Sequence, residues 1–147
     1  QNLSAFGPLQ HPTRQMFGVR GAPGNTINHA TSYWVGNHSK RVFCESVDIV
    51  SGIGWDKIDP DNPAYRFVDV HRVITNLGVF DFGGPGHTMR ALSLHPGVEP
   101  DEVRENTSFD VHGLDEADRT RLPTGAEQTL IRERIDPKGL RDKEVKV

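Results

Sequence analysis

Glycines at 18, 21 and 24, followed by Asn25, Asn28 and His29, form the segment of this chain most suited to chemistry. Residues without a Cβ let backbone N–H groups approach a ligand oxygen, and donors held close to a carbonyl stabilise the oxyanion that forms when it is attacked. The side chains of Asn28 and His29 are then expected to point into the same cleft. The spacing Gly18-x-x-Gly21-x-x-Gly24 matches neither the dinucleotide fingerprint nor the phosphate loop, so a plain tight turn is the competing reading. Other chemistries find weaker support. His29, His38, His71, His87, His95 and His112 are widely spaced, without the i, i+4 pairing of a helical zinc site, and no metal is expected. No G-x-S-x-G elbow marks a nucleophilic serine. Cys44 falls at an inward position of an alternating segment and reads as a small buried hydrophobe. Glu45 and Asp48, three apart on a strand, would point to opposite faces and read as solvent-side residues in preference to an acid/base pair.

The elements that must position these residues follow from periodicity and punctuation. Gln15 to Val19 reads as a buried strand, and Arg20 to Asn25 as a glycine-rich turn. Thr26 to Trp34 is compatible with a short helix or an irregular segment. Arg41 to Val50 alternates apolar and polar residues and predicts a strand stopped by Ser51-Gly52-Ile53-Gly54. Asp59-Pro60-Asp61-Asn62-Pro63 is a turn-dense connection. Tyr65 to Thr75, Leu77 to Phe82 and Thr88 to Leu94 read as strands, the last two forming a hairpin around Gly83-Gly84-Pro85-Gly86. Pro100 with Asp101 and Glu102 starts a short helix to about Asn106. Asp110 to Pro123 is a polar connection. Thr124 and Glu127 make a capping-box pattern, with Leu130, Ile131 and Ile135 on one helical face until Asp136-Pro137.

Composition narrows the function. Among 147 residues, 17 Lys+Arg against 20 Asp+Glu leave a formal charge of −3 with the basic residues scattered, which argues against a nucleic-acid surface. No stretch approaches the ~20 apolar residues of a membrane span. The 15 glycines and 10 prolines favour many short elements over a bundle of long helices. One cysteine allows no internal disulfide and fits a reducing, cytoplasmic setting. The first residue is Gln1, without a signal-peptide pattern behind it, so an upstream portion is expected to be missing, and this chain is expected to carry a face made to meet another chain.

Several segments together resemble the β subunit of class I coenzyme A transferases. They are Gly21-Ala22-Pro23-Gly24-Asn25, Arg41-Val42-Phe43 leading to Val47 through Gly52, Thr75 to Phe82, Leu94 to Val98 and Val103 to Phe109. Ser4 to Pro8, Asn25 to His29, Asp59 to Pro63 and Leu140-Arg141-Asp142 are most similar to one branch, the β subunit of the heteromeric hydrolase that opens the last steroid rings in cholesterol-degrading bacteria. The resemblance implies an α/β fold over residues 1–147, a single domain with the open sheet of the coenzyme A transferase (NagB/RpiA-like) type, lacking its N-terminal portion. It implies an α partner, commonly in an α₂β₂ assembly, and an acyl-coenzyme A substrate whose coenzyme A is no separate cofactor.

The resemblance also places the transferase glutamate upstream of Gln1, so Glu45 is not its substitute. In the steroid branch the acid/base glutamate is expected on the α partner. Gly21, Gly24, Asn25, Asn28 and His29 are then the substrate-binding residues of this chain, and its own catalytic residues are unassigned. Two other functions stand beside ring opening: coenzyme A transfer between carboxylates through a glutamyl thioester, and a non-catalytic subunit that stabilises its partner.

Overall fold

Among the described residues the chain forms seven short strands and four short α-helices, in keeping with its density of glycine and proline. The computed structural model describes residues 3–6, 8, 10, 11, 13–17, 21–47 and 50–144. Two compact units are present, one of Gln1–Thr31 with Val47–His71, the other of Ser32–Ser46 with Arg72–Val147.

In the first unit, β1 (Leu3–Phe6) pairs antiparallel with β2 (Arg14–Phe17), Leu3 opposite Phe17 and Phe6 opposite Arg14. The expected strand near Gln15 is therefore found, but the expected glycine turn after it is not. Gly21–Asn28 is helical (α1), and Gly18 lies outside the described residues. Pro23 stands in the first turn of α1, where a missing N–H costs nothing. Thr26, 1 % exposed, faces inward and accepts the Ile53 N–H at 3.2 Å while donating to the Ala22 carbonyl at 2.8 Å. Trp55 donates through Nε1 to the Val70 carbonyl at 3.2 Å.

The second unit is built on a sheet of order β3-β4-β5-β6-β7, with β3 at Ala30–Val35, β4 at Asp69–Thr75, β5 at Gly78–Asp81, β6 at Arg90–Leu94 and β7 at Asp118–Arg119. β4, β5 and β6 run antiparallel, and β7 joins β6 in parallel, Ser93 opposite Asp118. The expected hairpin is present, with a register shift between Val79 and Phe80 that brings Asp81 opposite Arg90. Period-2 alternation in β4 buries Val73 and Thr75, and Phe80 of β5 is fully enclosed. Val73, Phe80, Leu94, Val103 and Leu114 belong to one core cluster. Val103 reaches it from α2 (Pro100–Glu105), which starts at the proline as its sequence indicates.

Two further readings are corrected. Arg41 to Val50 forms no strand among its described residues. The chain turns at 39–43, with the Phe43 N–H donating to the Ser39 carbonyl at 2.8 Å, and Phe43 enters the core by stacking on His38. Cys44 is consequently half-buried in irregular backbone, Glu45 is exposed, and Asp48 lies outside the described residues. The connection from Asp110 to Pro123 contains β7, whose two residues are exposed.

Residues 121–144 form a C-terminal arm. Its helix α3 (Gly125–Leu130) begins with the expected capping box: Thr124 Oγ1 accepts the Glu127 N–H at 3.2 Å, and Glu127 Oε2 accepts the Thr124 N–H at 2.8 Å. Arg121 clasps the same carboxylate with two bonds of 2.8 Å and, as the largest cause, holds its pKa down to about 2. A π-helical turn, Ile131–Ile135, follows, and α4 (Arg141–Glu144) closes the arm. Thr124→Ala removes one limb of the box and is expected to cost the arm about 1 kcal/mol, read as faster amide exchange over 125–135 with exchange in β4–β6 unchanged.

Candidate functional site

The five residues singled out by sequence converge on α1, though as a helix face and not as a loop. At about 100° per residue, Gly24, Asn28, Gly21, Asn25 and His29 fall within an arc of about 140°. Thr26 lies outside that arc and anchors the opposite side. His29 sits one residue past the helix and extends it, since its N–H donates to the Asn25 carbonyl at 3.0 Å. Gly24, Asn25, Asn28 and His29 are exposed and Gly21 is half-buried.

Within this face the groups differ in what they can offer. Asn28 Nδ2 donates to the Gly24 carbonyl at 2.8 Å, so its amide lies back along the helix and does not reach outward as expected. The side chains of Asn25 and His29, four residues apart and therefore neighbours, make no hydrogen bond to the described residues. They present an amide and an imidazole able to bind a carbonyl oxygen or an oxyanion. A Cβ built on Gly24 meets nothing within 4 Å. Packing inside the chain therefore does not demand glycine there, although glycine within a helix costs about 0.5–1 kcal/mol relative to alanine. A molecule approaching that face would gain the space that a methyl group would take.

Two other histidines are spoken for by structure. His38 is 3 % exposed, its Nδ1 is 3.1 Å from Thr75 Oγ1 and its Nε2 is 2.9 Å from Thr107 Oγ1. Thr75 Oγ1 already accepts the Leu77 and Gly78 N–H groups, so its proton goes to Nδ1. Thr107 Oγ1 donates to the Val103 carbonyl and so accepts from Nε2–H. Both ring nitrogens are satisfied only when the imidazole is neutral, and burial lowers its pKa to about 4. His95 links the Thr75 carbonyl, 2.9 Å from Nε2, to Thr120 Oγ1, 3.1 Å from Nδ1. Among the described residues no group of three or more His, Cys, Asp or Glu could hold a metal ion.

The second unit carries a cleft of about 530 Å³ that the sequence did not announce, lined by Lys40, Arg104, Ser108, Phe109 and Asp110 among others. Its size suits a small-molecule site. Arg104 is engaged by Asp101 at 2.7 Å and also by Asp115, which leaves Lys40 and Asp110 as its uncommitted charges among the described residues. The local signal was the Thr107-Ser108-Phe109 stretch, which lacks any spacing rule that would single it out.

No family model matches the chain. The chain is 75 % identical over 146 residues to the cholesterol ring-cleaving hydrolase IpdB subunit of Mycobacterium tuberculosis, covering 99 % of this chain and 58 % of that protein. It superimposes on the crystal structure of Rhodococcus jostii RHA1 IpdAB with a TM-score of 0.87 at 73 % identity, over 100 % of this chain and 59 % of that one. Glutaconate coenzyme A-transferase from Acidaminococcus fermentans gives a TM-score of 0.72 at 28 % identity, over 98 % and 55 %. The fold is thus the mixed α/β open sheet of the coenzyme A transferases, and the chain spans a little under three-fifths of the length of the curated IpdB relatives it matches.

Proposed function

We propose that this chain, all 147 residues as one coenzyme A transferase-like domain, is the C-terminal part of the β subunit of a ring-opening acyl-coenzyme A hydrolase. The observation that carries the reading is the 75 % identity over 146 residues with a subunit named for cholesterol ring cleavage. The α subunit is the partner, in a cytoplasmic α₂β₂ assembly, and the coenzyme A belongs to the substrate. No described helix is long and apolar enough to cross a membrane.

The reaction is a hydrolytic retro-Claisen cleavage. Water activated by a carboxylate of the α partner adds to a ring carbonyl, forming a C–O bond as the carbonyl π electrons move onto oxygen. Donors hold that oxyanion. Its collapse breaks the adjacent ring C–C bond, and the electron pair goes to a carbon stabilised by a neighbouring carbonyl. That carbon takes a proton, and the new carboxyl group, still attached through the rest of the opened ring, loses its proton to become a carboxylate. Asn25 and His29 supply the exposed polar groups of this chain, and Gly21 and Gly24 leave room for substrate beside them. Asn28 braces the helix carrying them.

Reconstitution of the full-length β subunit with the α partner tests this. A ring-bearing acyl-coenzyme A should yield the ring-opened acid, and hydroxylamine with acyl-coenzyme A should trap no label on the β subunit. A trapped glutamyl thioester would instead establish coenzyme A transfer. Asn25→Ala should lower turnover about tenfold, the loss of roughly one hydrogen bond. Gly24→Ala should lower it similarly while leaving thermal stability unchanged or higher by up to about 1 kcal/mol, because the helix loses a flexible residue. Unchanged turnover with a weakened complex in Asn25→Ala would favour the non-catalytic subunit.

A further inference from the structure

We propose that Thr26 is a positioning residue for the ring-opening reaction, its buried hydroxyl fixing the rotation of α1 and thereby the places of Asn25 and His29. The proposal rests on the reading above, in which those two side chains face the substrate, and adds what holds them there.

Helix α1 has little apolar surface to hold it in place. It is eight residues long, Thr26 is its one buried residue, and Ala22 and Ile27 are only half-buried. Helices this short are marginal in water and take their stability from an apolar face packed on the rest of the fold. Here the inward anchor is polar. Thr26 Oγ1 donates one turn back to the Ala22 carbonyl at 2.8 Å and accepts the Ile53 N–H at 3.2 Å. Threonine in a helix has two side-chain rotamers open to it, and these two bonds together select one. The segment that supplies the Ile53 N–H is itself fastened, because Trp55, two residues on, donates through Nε1 to the carbonyl of the buried Val70 at 3.2 Å. At the far end of α1 the Thr31 hydroxyl donates to the His29 carbonyl at 3.0 Å. All of these residues belong to the first compact unit.

Geometry makes the Thr26 bond matter for Asn25 and His29. Around the helix axis Thr26 stands about 100° from Asn25 and about 60° from His29. Side-chain atoms lie about 5–6 Å from that axis, so a rotation of about 20° carries them by about 2 Å. A shift of about 1 Å at a reacting centre is enough to cost about a hundredfold in rate. Thr26→Val keeps the branched shape but removes the acceptor of the Ile53 N–H, and an unpaired donor is costly to keep. The helix then gains by turning to let that donor reach another acceptor, and the turn displaces Asn25 and His29.

The test uses the full-length β subunit reconstituted with the α partner and a ring-bearing acyl-coenzyme A, at a temperature where melting shows every variant complex folded. Thr26→Val should lower kcat about tenfold with KM within about twofold of the unaltered value, because the alignment is lost at the transition state and not in binding. Thr26→Ser, which retains the hydroxyl, should keep kcat within about twofold. In the Asn25→Ala background Thr26→Val should cost at most about threefold, since the group that it positions is already gone. Full additivity of the two substitutions, or lowered melting with kcat unchanged, would overturn the positioning role in favour of a purely structural one. Hydrogen exchange on the unaltered complex supplies a check that needs no variant: the Ile53 amide should be protected at least tenfold, and exchange at the rate of an exposed amide would overturn the proposal. Asn25→Ala impaired with Thr26→Val unimpaired would sink this proposal alone, whereas unchanged turnover in Asn25→Ala would sink the substrate-facing reading of α1 and this proposal together.

Discussion

Taking the pH from 7 to 4 will remove stability on the order of 3 kcal/mol through His38 alone, at about 1.4 kcal/mol per unit of pKa difference. In the unfolded chain this imidazole protonates near its ordinary value of 6.5, whereas in the folded chain burial holds it to about 4. Between those values the unfolded state carries the extra proton. Stability is therefore greatest above pH 6.5, declines as pH falls, and stops declining on this account below about 4. The geometry explains why the folded state resists the proton. Nδ1 is occupied by the Thr75 hydroxyl proton, Nε2–H is given to Thr107, and the ring lies 3.9 Å from the Phe43 ring centroid in a stack. Urea unfolding at pH 7, 5.5 and 4 measures the effect, compared with His38→Gln, which lowers stability at pH 7 but should flatten the slope between pH 6.5 and 4. Identical slopes in the two proteins would assign the acid sensitivity to other groups.

Arg90→Ala should lower the urea midpoint of the chain clearly, because it leaves the nearly buried Asp81 carboxylate without its main hydrogen-bond partner. The Asp81 side chain is 13 % exposed and accepts from Arg90 Nε at 3.0 Å, from its terminal nitrogen at 2.7 Å and from the Gly83 N–H at 2.9 Å. Arg72 stands 3.9 Å away and offsets only part of the charge. The Arg90 hydrogen bonds are the main reason that the Asp81 pKa is lowered, so their contribution is present above the ordinary carboxylate range and is lost as pH falls through it. Accordingly the penalty of Arg90→Ala should shrink below about pH 4. Adding Asp81→Asn should recover part of it at pH 7, since a neutral amide is cheaper to leave partly unpaired. A double-mutant cycle with purely additive costs would show that the two side chains are not coupled.

Both predictions concern contacts that no local pattern reveals. His38 meets Thr75 and Thr107 across 37 and 69 residues of chain. Asp81 faces Arg90 only because the hairpin register shifts between Val79 and Phe80. By contrast the hairpin, the proline start of α2 and the Thr124 capping box were legible, because each arises from residues a few positions apart. The candidate residues lie together, as their spacing expects, but on a helix face and not in a turn. Three glycines and a proline indicate a turn by backbone freedom, yet Pro23 falls where a helix tolerates it and Thr26 ties that helix to Ile53. Arg41 to Val50 failed for the opposite reason: its alternation fits a strand, but Phe43 is drawn into the core against His38.

The amino-acid sequence alone determined the fold class, the hairpin, two helix starts and the set of residues that gather on α1, because motif order and short-range hydrogen bonding are written into neighbouring positions. Tertiary structure alone decided that the set is a helix face, that Asn25 and His29 stay open while Asn28 turns back, and that Leu130 and Ile135 stay half or more exposed. Those outcomes depend on which distant groups arrive to satisfy a buried donor or cover an apolar side chain, and that is known only once the chain has closed on itself.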